Sequence, residues 1–204
     1  MKKGKGKYGT EHVEWVALKA LTERLGDENE YFWKNTITIG VFLALRVSDL
    51  LNLRWADVID EQGNIRSHIS VIEGKTKKSK TEPRIITLSE DGISAIRDMR
   101  ERYNLHGSRS YLISPHTEKA SDQWLNKHLK RIFEKYEVPY GANVSSHLFR
   151  KTFGYRYAQI NDFSYESILY LNKIFRHSSL ETTLIYLGLE SKAIEDAYHS
   201  VCKL

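Results

Sequence analysis

The chain has 204 residues, 41% hydrophobic and 28% charged, the proportions of one soluble globular domain whose core needs no covalent staples. Lys and Arg number 31 against 26 Asp and Glu, and the resulting charge of +5 is a mild bias towards polyanionic partners. No apolar run approaches the ~20 residues of a membrane helix, Met1-Lys2-Lys3-Gly4 leads into polar residues rather than a secretory leader, and the single cysteine, Cys202, excludes a disulfide framework and a cysteine-cluster metal site, so a cytoplasmic location fits best.

Residues 1–9 are rich in Lys and Gly, lack periodicity and read as a flexible basic arm or linker remnant. Residues 10–204 read as one domain. Thr10 is placed to cap a helix with Val13, Val16, Ala17, Ala20, Leu21 and Leu25 on one face, ended by Gly26. A second helix, from about Tyr31 to Leu45, is apolar nearly all round and belongs in the middle of the core. Ser48 is a candidate cap for a short third helix. Val58-Ile59-Asp60, a turn at 61–64, Ile65 to Ile72, a polar lysine loop and Arg84 to Leu88 predict three short strands. Ser89 starts a helix to about Tyr103, a polar loop surrounds Tyr111-Leu112-Ile113, and Ser121 caps a basic helix to about Tyr136. Helices then follow at about 146–160, 164–174, 180–187 and 190–203. The fold class is α+β, mainly helical, with a small three-stranded antiparallel sheet.

Several familiar sites are absent from the sequence. Gly74-Lys75-Thr76 resembles the end of a phosphate-binding loop but lacks the earlier glycine, and no His-Glu-x-x-His or paired-cysteine motif occurs. Phosphate chemistry without a metal needs cationic side chains on the transition state, and four segments supply them. Arg46 ends the apolar helix, where it serves either as a helix C-terminal charge or as a phosphate fork, with Asp49 placed to orient it. Lys75, Lys77, Lys78 and Lys80 crowd one loop. His147 and Arg150 stand at i and i+3, on one helical face. His177 stands nine residues before Tyr186, which lies about two turns into a helix that Ser178 or Ser179 can cap. Lys127, Lys130 and Arg131 form a further basic cluster. Taken singly, each segment also reads as an ordinary solvated or packing surface.

Taken together and in this order, Arg46, the lysine loop, His147-x-x-Arg150, His177 and Tyr186 resemble the tyrosine recombinase (phage integrase) family. Arg46-Val47-Ser48-Asp49-Leu50-Leu51-Asn52-Leu53-Arg54-Trp55 looks like that family's first box, and the resemblance covers roughly residues 10–190. It implies the catalytic-domain fold. It implies that Arg46 and Arg150 clamp the scissile phosphate, that His177 donates a hydrogen bond to it, and that His147 assists proton transfer at Tyr186. Tyr186 would attack to leave a 3′-phosphotyrosyl link. Lys75, or alternatively Lys77, would protonate the leaving 5′-oxygen. A phenol titrates near ~10, and the cationic cluster is expected to favour the phenolate.

Two glycines of the family pattern are replaced, by Ala44 and by Arg176, and Arg176 is a candidate DNA contact beside Lys77, Lys78, Lys80, Lys127, Lys130 and Arg131. The family's N-terminal core-binding domain has no counterpart, so the chain resembles either the catalytic domain alone or the small members similar to fimbrial-switch recombinases. If nothing precedes Met1, weak and strongly salt-dependent DNA binding is expected.

The resemblance implies a site-specific recombinase of integrase or invertase type, independent of metal and of any cofactor. Its partner would be double-stranded DNA at attachment or inversion sites. The protein would act as a homo-oligomer on that DNA, with the stripe Ile194, Ala197, Tyr198, Val201 and Leu204 packing on its own core or on a neighbour. Relaxation of DNA in the manner of type IB topoisomerases and a catalytically idle DNA-binding protein on the same fold are the alternatives. A metal-dependent nuclease lacks ligand spacing among the histidines.

Overall fold

The computed structural model describes residues 11–74, 82–103, 110–114, 118–140 and 143–189. The expected basic arm, the cap expected at Thr10, the loop lysines Lys75, Lys77, Lys78 and Lys80, and the helix expected from about 190 lie outside the described residues.

Helix α2 (Tyr31–Leu43) is the centre of the fold. Its apolar residues leave no face suited to water, and it packs against α1 (Trp15–Asp27), α5 (Glu90–Tyr103) and α7 (His147–Ile160). Its one buried amide, Asn35, donates to Asp98 of α5 at 2.7 Å and so is not left unsatisfied. Gly40 lets α7 come close, because a Cβ there would lie 2.5 Å from the Phe149 ring.

The face of α1 differs from the expected one. Leu18, Leu21 and Leu25 are buried, whereas Val16 is 80% exposed. The helix also begins later than the sequence pattern suggests, at Trp15. Val13 precedes it, and its N–H donates to Thr152 Oγ1 of α7 at 3.0 Å. This anchor holds the entry to α1 against α7 and sets which residues of the helix face the core.

The sheet also departs from expectation. Strands β1 (His68–Val71) and β2 (Arg84–Thr87) pair antiparallel, with Ile69 opposite Ile86. The expected first strand is replaced: Trp55–Val58 is a helical turn, α4, following α3 (Val47–Leu50). Asp57 accepts the Arg54 N–H at 2.7 Å, as a residue in a helix's first turn does, and this local bond takes the place of a ladder. A single bridge, Ile59 with Ile65, is what the predicted strand retains. Ser48 lies inside α3, whose N-cap is Arg46.

Helix α6 (Asp122–Lys135) starts where Ser121 Oγ accepts the Trp124 N–H at 3.1 Å. Helices α7, α8 (Tyr165–Phe175) and α9 (Leu180–Leu187) enclose a second, smaller core of Ala44, Ala158, Ile168, Leu171, Phe175, Leu187 and Leu189. Gly154 permits this packing, since a Cβ there would meet Leu187 and Phe175 at 2.8 Å. That close approach brings α9, and with it Tyr186, against α7.

Candidate active site

Two helix C-termini define the site. Helix α2 ends on Ala44 and α8 ends on Arg176, both left-handed, with φ of 47° and 49°. These are the two positions where the family pattern has glycine, and the positive φ explains that preference. Each turn leaves a terminal carbonyl pointing inwards. Arg150 Nη1 donates to Ala44 O at 2.9 Å and Nη2 donates to Phe175 O, while Arg46 Nη2 reaches the same Phe175 carbonyl at 3.5 Å. The negative ends of two helices therefore hold the arginines. Arg150 also lies over the Phe175 ring, 4.3 Å from its centre.

A carboxylate that sequence reasoning missed lies beneath them. Glu73 is fully buried; its Oε2 accepts from Arg46 Nη1 at 2.6 Å, its Oε1 accepts from Arg84 Nη1 at 3.2 Å, and Arg150 Nη1 stands 4.0 Å away. Burial alone would raise the Glu73 carboxyl, but the Arg46 and Arg84 guanidiniums hold it below its ordinary value. Asp49 does not pair with Arg46 as expected. Its Oδ1 accepts the Gly74 N–H at 2.8 Å instead, because Glu73 has taken the guanidinium.

Helix α7 presents His147 at its first turn and Arg150 one turn on. His147 reaches the surface, yet partial desolvation of its ring, with the Lys151 and Arg150 charges nearby, lowers its pKa. Lys151, also missed, places Nζ 4.9 Å from the centre of the Tyr186 ring.

The turn from α8 into α9 carries the remaining groups. Ser179 Oγ accepts the Thr182 N–H at 3.1 Å and so caps α9. The His177 and Tyr186 rings meet edge to face with centres 5.1 Å apart, and Phe175 flanks Tyr186 at 5.6 Å. His177 Nδ1 lies 3.0 Å from Thr183 Oγ1, which itself accepts from Asn172 Nδ2 at 3.1 Å. A hydroxyl has one proton and two lone pairs, so Thr183 can donate to Nδ1 while it accepts from the amide, and that pairing places the ring proton on Nε2. Neither Asn172 nor Thr183 carries a local sequence signal; only the fold brings them to the histidine.

The electrostatics differ from the expected phenolate. Burial pushes the Tyr186 hydroxyl up to about 12, against the opposing pull of Arg150 and Arg46. The buried Oη has no hydrogen-bond partner among the described residues. Desolvation outweighs the cations here because both guanidiniums are engaged with carbonyls and Glu73. The same burial, aided by Arg150 and Arg46, lowers His177 to about 4.

That shift makes a stability prediction. An unfolded imidazole protonates near its ordinary 6.5 and the folded one near 4, so between those values the unfolded chain binds more protons. The contribution is complete above pH 6.5 and is lost as pH falls through that window. Urea melts from about pH 7 down to about pH 4 are expected to show a shallower acid loss in His177→Asn than in the unaltered protein. Equal slopes would refute the assignment.

Arg176 Nη2 donates to Glu82 O at 3.0 Å, while its buried Nη1 has no partner among the described residues. Since the residue is also left-handed, Arg176→Gly is expected to stabilise the fold by about 1 kcal/mol. For a chain of this size the rise is ~2–4 °C in Tm, measurable by calorimetry.

The structure thus brings Arg46, Arg150, His177 and Tyr186 together, with His147 on the adjoining turn. Lys127, Lys130 and Arg131 are exposed along α6, whose Asn126 accepts the Ser146 N–H at 2.7 Å just before His147. Among the described residues no cluster of three metal-ligating side chains occurs, and no helix is long and apolar enough to cross a membrane.

Residues 14–192 match the model of the phage integrase family. A probable integrase/recombinase, YoeC of Bacillus subtilis (strain 168), is 27% identical over 173 residues, which cover 84% of each chain. A probable integrase/recombinase of Acholeplasma phage L2 is 30% identical over 190 residues, 92% of this chain and 60% of that one. Among solved structures, XerA recombinase superposes with a TM-score of 0.68 at 20% identity, covering 98% of this chain and 68% of that one. XerH site-specific recombinase bound to a palindromic difH substrate gives 0.63 at 19% identity, covering 92% and 52%. The fold, the ordered cationic set and the match over most of its length agree: the chain belongs to the phage integrase family.

Proposed function

We propose that this protein is a site-specific DNA recombinase that cuts and rejoins double-stranded DNA through Tyr186. The observation that carries the reading is the convergence of Arg46, Arg150 and His177 on the one tyrosine of α9. Tyr186 Oη attacks the scissile phosphorus, the P–O5′ bond breaks, and a 3′-phosphotyrosyl link forms. Arg46 and Arg150 face the non-bridging oxygens, and the Nε2–H of His177 donates to one of them. His147 takes the phenol proton. Lys75 gives a proton to the departing 5′-oxygen, with Lys77 the alternative donor. Rejoining runs the same steps backwards with a new 5′-hydroxyl, so the bond energy is conserved and no cofactor is consumed.

The phenol's high pKa in the free protein fits this sequence of events. A phosphate entering the site competes with Glu73 and the helix carbonyls for the arginines, and the tyrosine ionises only as its proton is removed in the transition state. Lys77, Lys78, Lys80, Lys127, Lys130, Arg131 and Arg176 supply contacts to the DNA backbone. Residues 10–204 form the catalytic domain, residues 1–9 a basic arm, and copies assemble on paired attachment or inversion sites, with the segment from about 190 docking between them. The protein works in the DNA-containing compartment of its cell.

The test is covalent trapping. A nicked duplex that spans an attachment site, mapped in the DNA flanking the gene, is incubated with protein in EDTA and denatured. A protein–DNA adduct is expected. Products that require magnesium would overturn the reading in favour of a nuclease, and relaxation of any supercoiled plasmid without strand exchange would favour the topoisomerase-like alternative.

A further inference from the structure

The recombination steps give no part to Lys151, which follows Arg150 directly on α7. His147, Arg150 and Lys151 stand at i, i+3 and i+4, so they share one face of that helix. Helix α9 packs on α7, and Gly154 sets how close it comes, since a Cβ there would meet Leu187 at 2.8 Å. The approach lays the Tyr186 ring against the lysine, with Nζ 4.9 Å from the ring centre.

An ammonium loses much on leaving water, and a carboxylate or hydrogen bonds ordinarily offset the loss. Lys151 is half-buried, and among the described residues it has neither an ion pair nor a hydrogen bond. Burial outweighs the more distant pull of the Glu11 carboxylate, so the ammonium titrates below its ordinary 10.5. Its contact is an aromatic ring, which holds a cation through its quadrupole and would hold it more strongly once the phenol is an anion.

The other groups facing Tyr186 are differently committed. Arg46 and Arg150 are engaged with Glu73 and the helix carbonyls, and in the proposed reaction they turn to a phosphate whose own negative charge offsets theirs at the phenol. His177 is lowered to about 4 and is uncharged at neutral pH. His147 is held below its ordinary value by partial desolvation and by the Lys151 and Arg150 charges, so it too is uncharged and able to take a proton. Among the described residues, Lys151 is the cation at this ring with no such engagement. In the resting protein its effect is hidden. Tyr186 is pushed up to about 12, above the lysine, so the ammonium has lost its proton before a phenolate appears. At the neutral pH of the reaction that order is reversed, and the ammonium is charged while the phenolate forms.

We infer that Lys151 is a positioning residue for the nucleophile, an ammonium set against the Tyr186 ring that stabilises the phenolate as His147 takes its proton. The inference rests on the reading of Tyr186 as the nucleophile. Tyr186 Oη has no hydrogen-bond partner among the described residues, so the lysine acts through the charge of the ring and not by accepting the proton itself.

A more acidic phenol exposes the coupling. Ring fluorines bring ionisation down to where Lys151 is still charged. The full chain with trifluorotyrosine in place of Tyr186 is titrated by fluorine NMR, unaltered and with Lys151→Met or Lys151→Arg; methionine fills the space of the stem without its charge. Lys151→Met is expected to lower the ionisation constant of the fluorinated phenol about 10-fold, the screened effect of a unit charge at 4.9 Å, and Lys151→Arg to restore it to within about 3-fold. With natural tyrosine, single-turnover cleavage of a saturating nicked duplex is expected to fall about 10-fold in Lys151→Met and to recover in Lys151→Arg. A titration that does not move overturns the inference, and a loss of DNA affinity in the same variant then makes Lys151 a backbone contact instead. A titration that moves while cleavage is unchanged overturns it equally. Adduct formation by Tyr186→Phe overturns the reading of the nucleophile, and the inference with it, whatever the titration shows. If Lys151→Met does not fold, Lys151→Gln removes the same charge and is held to the same outcomes.

Discussion

Tyr186→Phe is expected to abolish the covalent protein–DNA adduct while leaving duplex binding within a factor of about two, because one uncharged hydroxyl adds little to affinity built on phosphate contacts. The hydroxyl it removes is otherwise a liability. Tyr186 Oη is buried with no partner among the described residues, a situation that costs about 1–3 kcal/mol, so Phe in the same place is expected to raise Tm. The ring itself has a full set of neighbours in Phe175, His177 and the Lys151 ammonium, and these hold equally for phenylalanine. A variant that gains stability and loses all covalent chemistry separates the hydroxyl's role from the ring's. Gel analysis of denatured trapping reactions measures the first and thermal melts the second. Adduct formation by the variant would transfer the nucleophile's role to another residue.

The sequence was most informative where local chemistry decides structure. Helices α6, α8 and α9 begin at Ser121, Ser164 and Ser179, each with its hydroxyl on a first-turn N–H, and such caps are legible without a fold. The cationic residues were legible for a different reason: Arg46, His147, Arg150 and His177 are each ordinary when taken singly, and only their joint order resembles the family's, while the structure places each at a helix end or first turn. Glu73, Arg84, Asn172 and Thr183 were not legible, since their partners are brought close by tertiary packing and a buried carboxylate looks like a surface one in a string of polar residues. The third strand failed on competition between two local signals. Val58-Ile59-Asp60 has strand composition, but Asp57 three residues after Arg54 closes a helical turn first. The expectation of a phenolate failed on magnitude. Both cations are present, yet burial of Tyr186 raises its pKa more than they lower it.

Arg150 is where the second large effect is expected, and it distinguishes charge from shape. The residue is 3% exposed and donates to the terminal carbonyls of two helices, Ala44 O and Phe175 O, while standing 4.0 Å from Glu73. Burial lowers its pKa to about 10, still well above neutrality, so the charge is retained. Arg150→Ala removes the guanidinium from Ala44 O, leaves Phe175 O with only the 3.5 Å contact of Arg46, and gives the Glu73 carboxylate less compensation, which is expected to destabilise the fold by about 3–5 kcal/mol. Arg150→Lys is the sharper variant. An ammonium keeps the charge but cannot reach two carbonyls and a phosphate oxygen from one planar fork. Its fold is expected to survive with a smaller loss, and its single-turnover cleavage to fall by about 10²–10³-fold, the effect of removing one preorganised donor from a transition state. The chain turns left-handed at Ala44 and at Arg176, accepting strain at two non-glycine residues, and both turns aim a carbonyl at this one side chain. If charge alone were needed, that geometry would serve no purpose and Arg150→Lys would cleave at nearly the normal rate; urea melts alongside cleavage rates decide between the two.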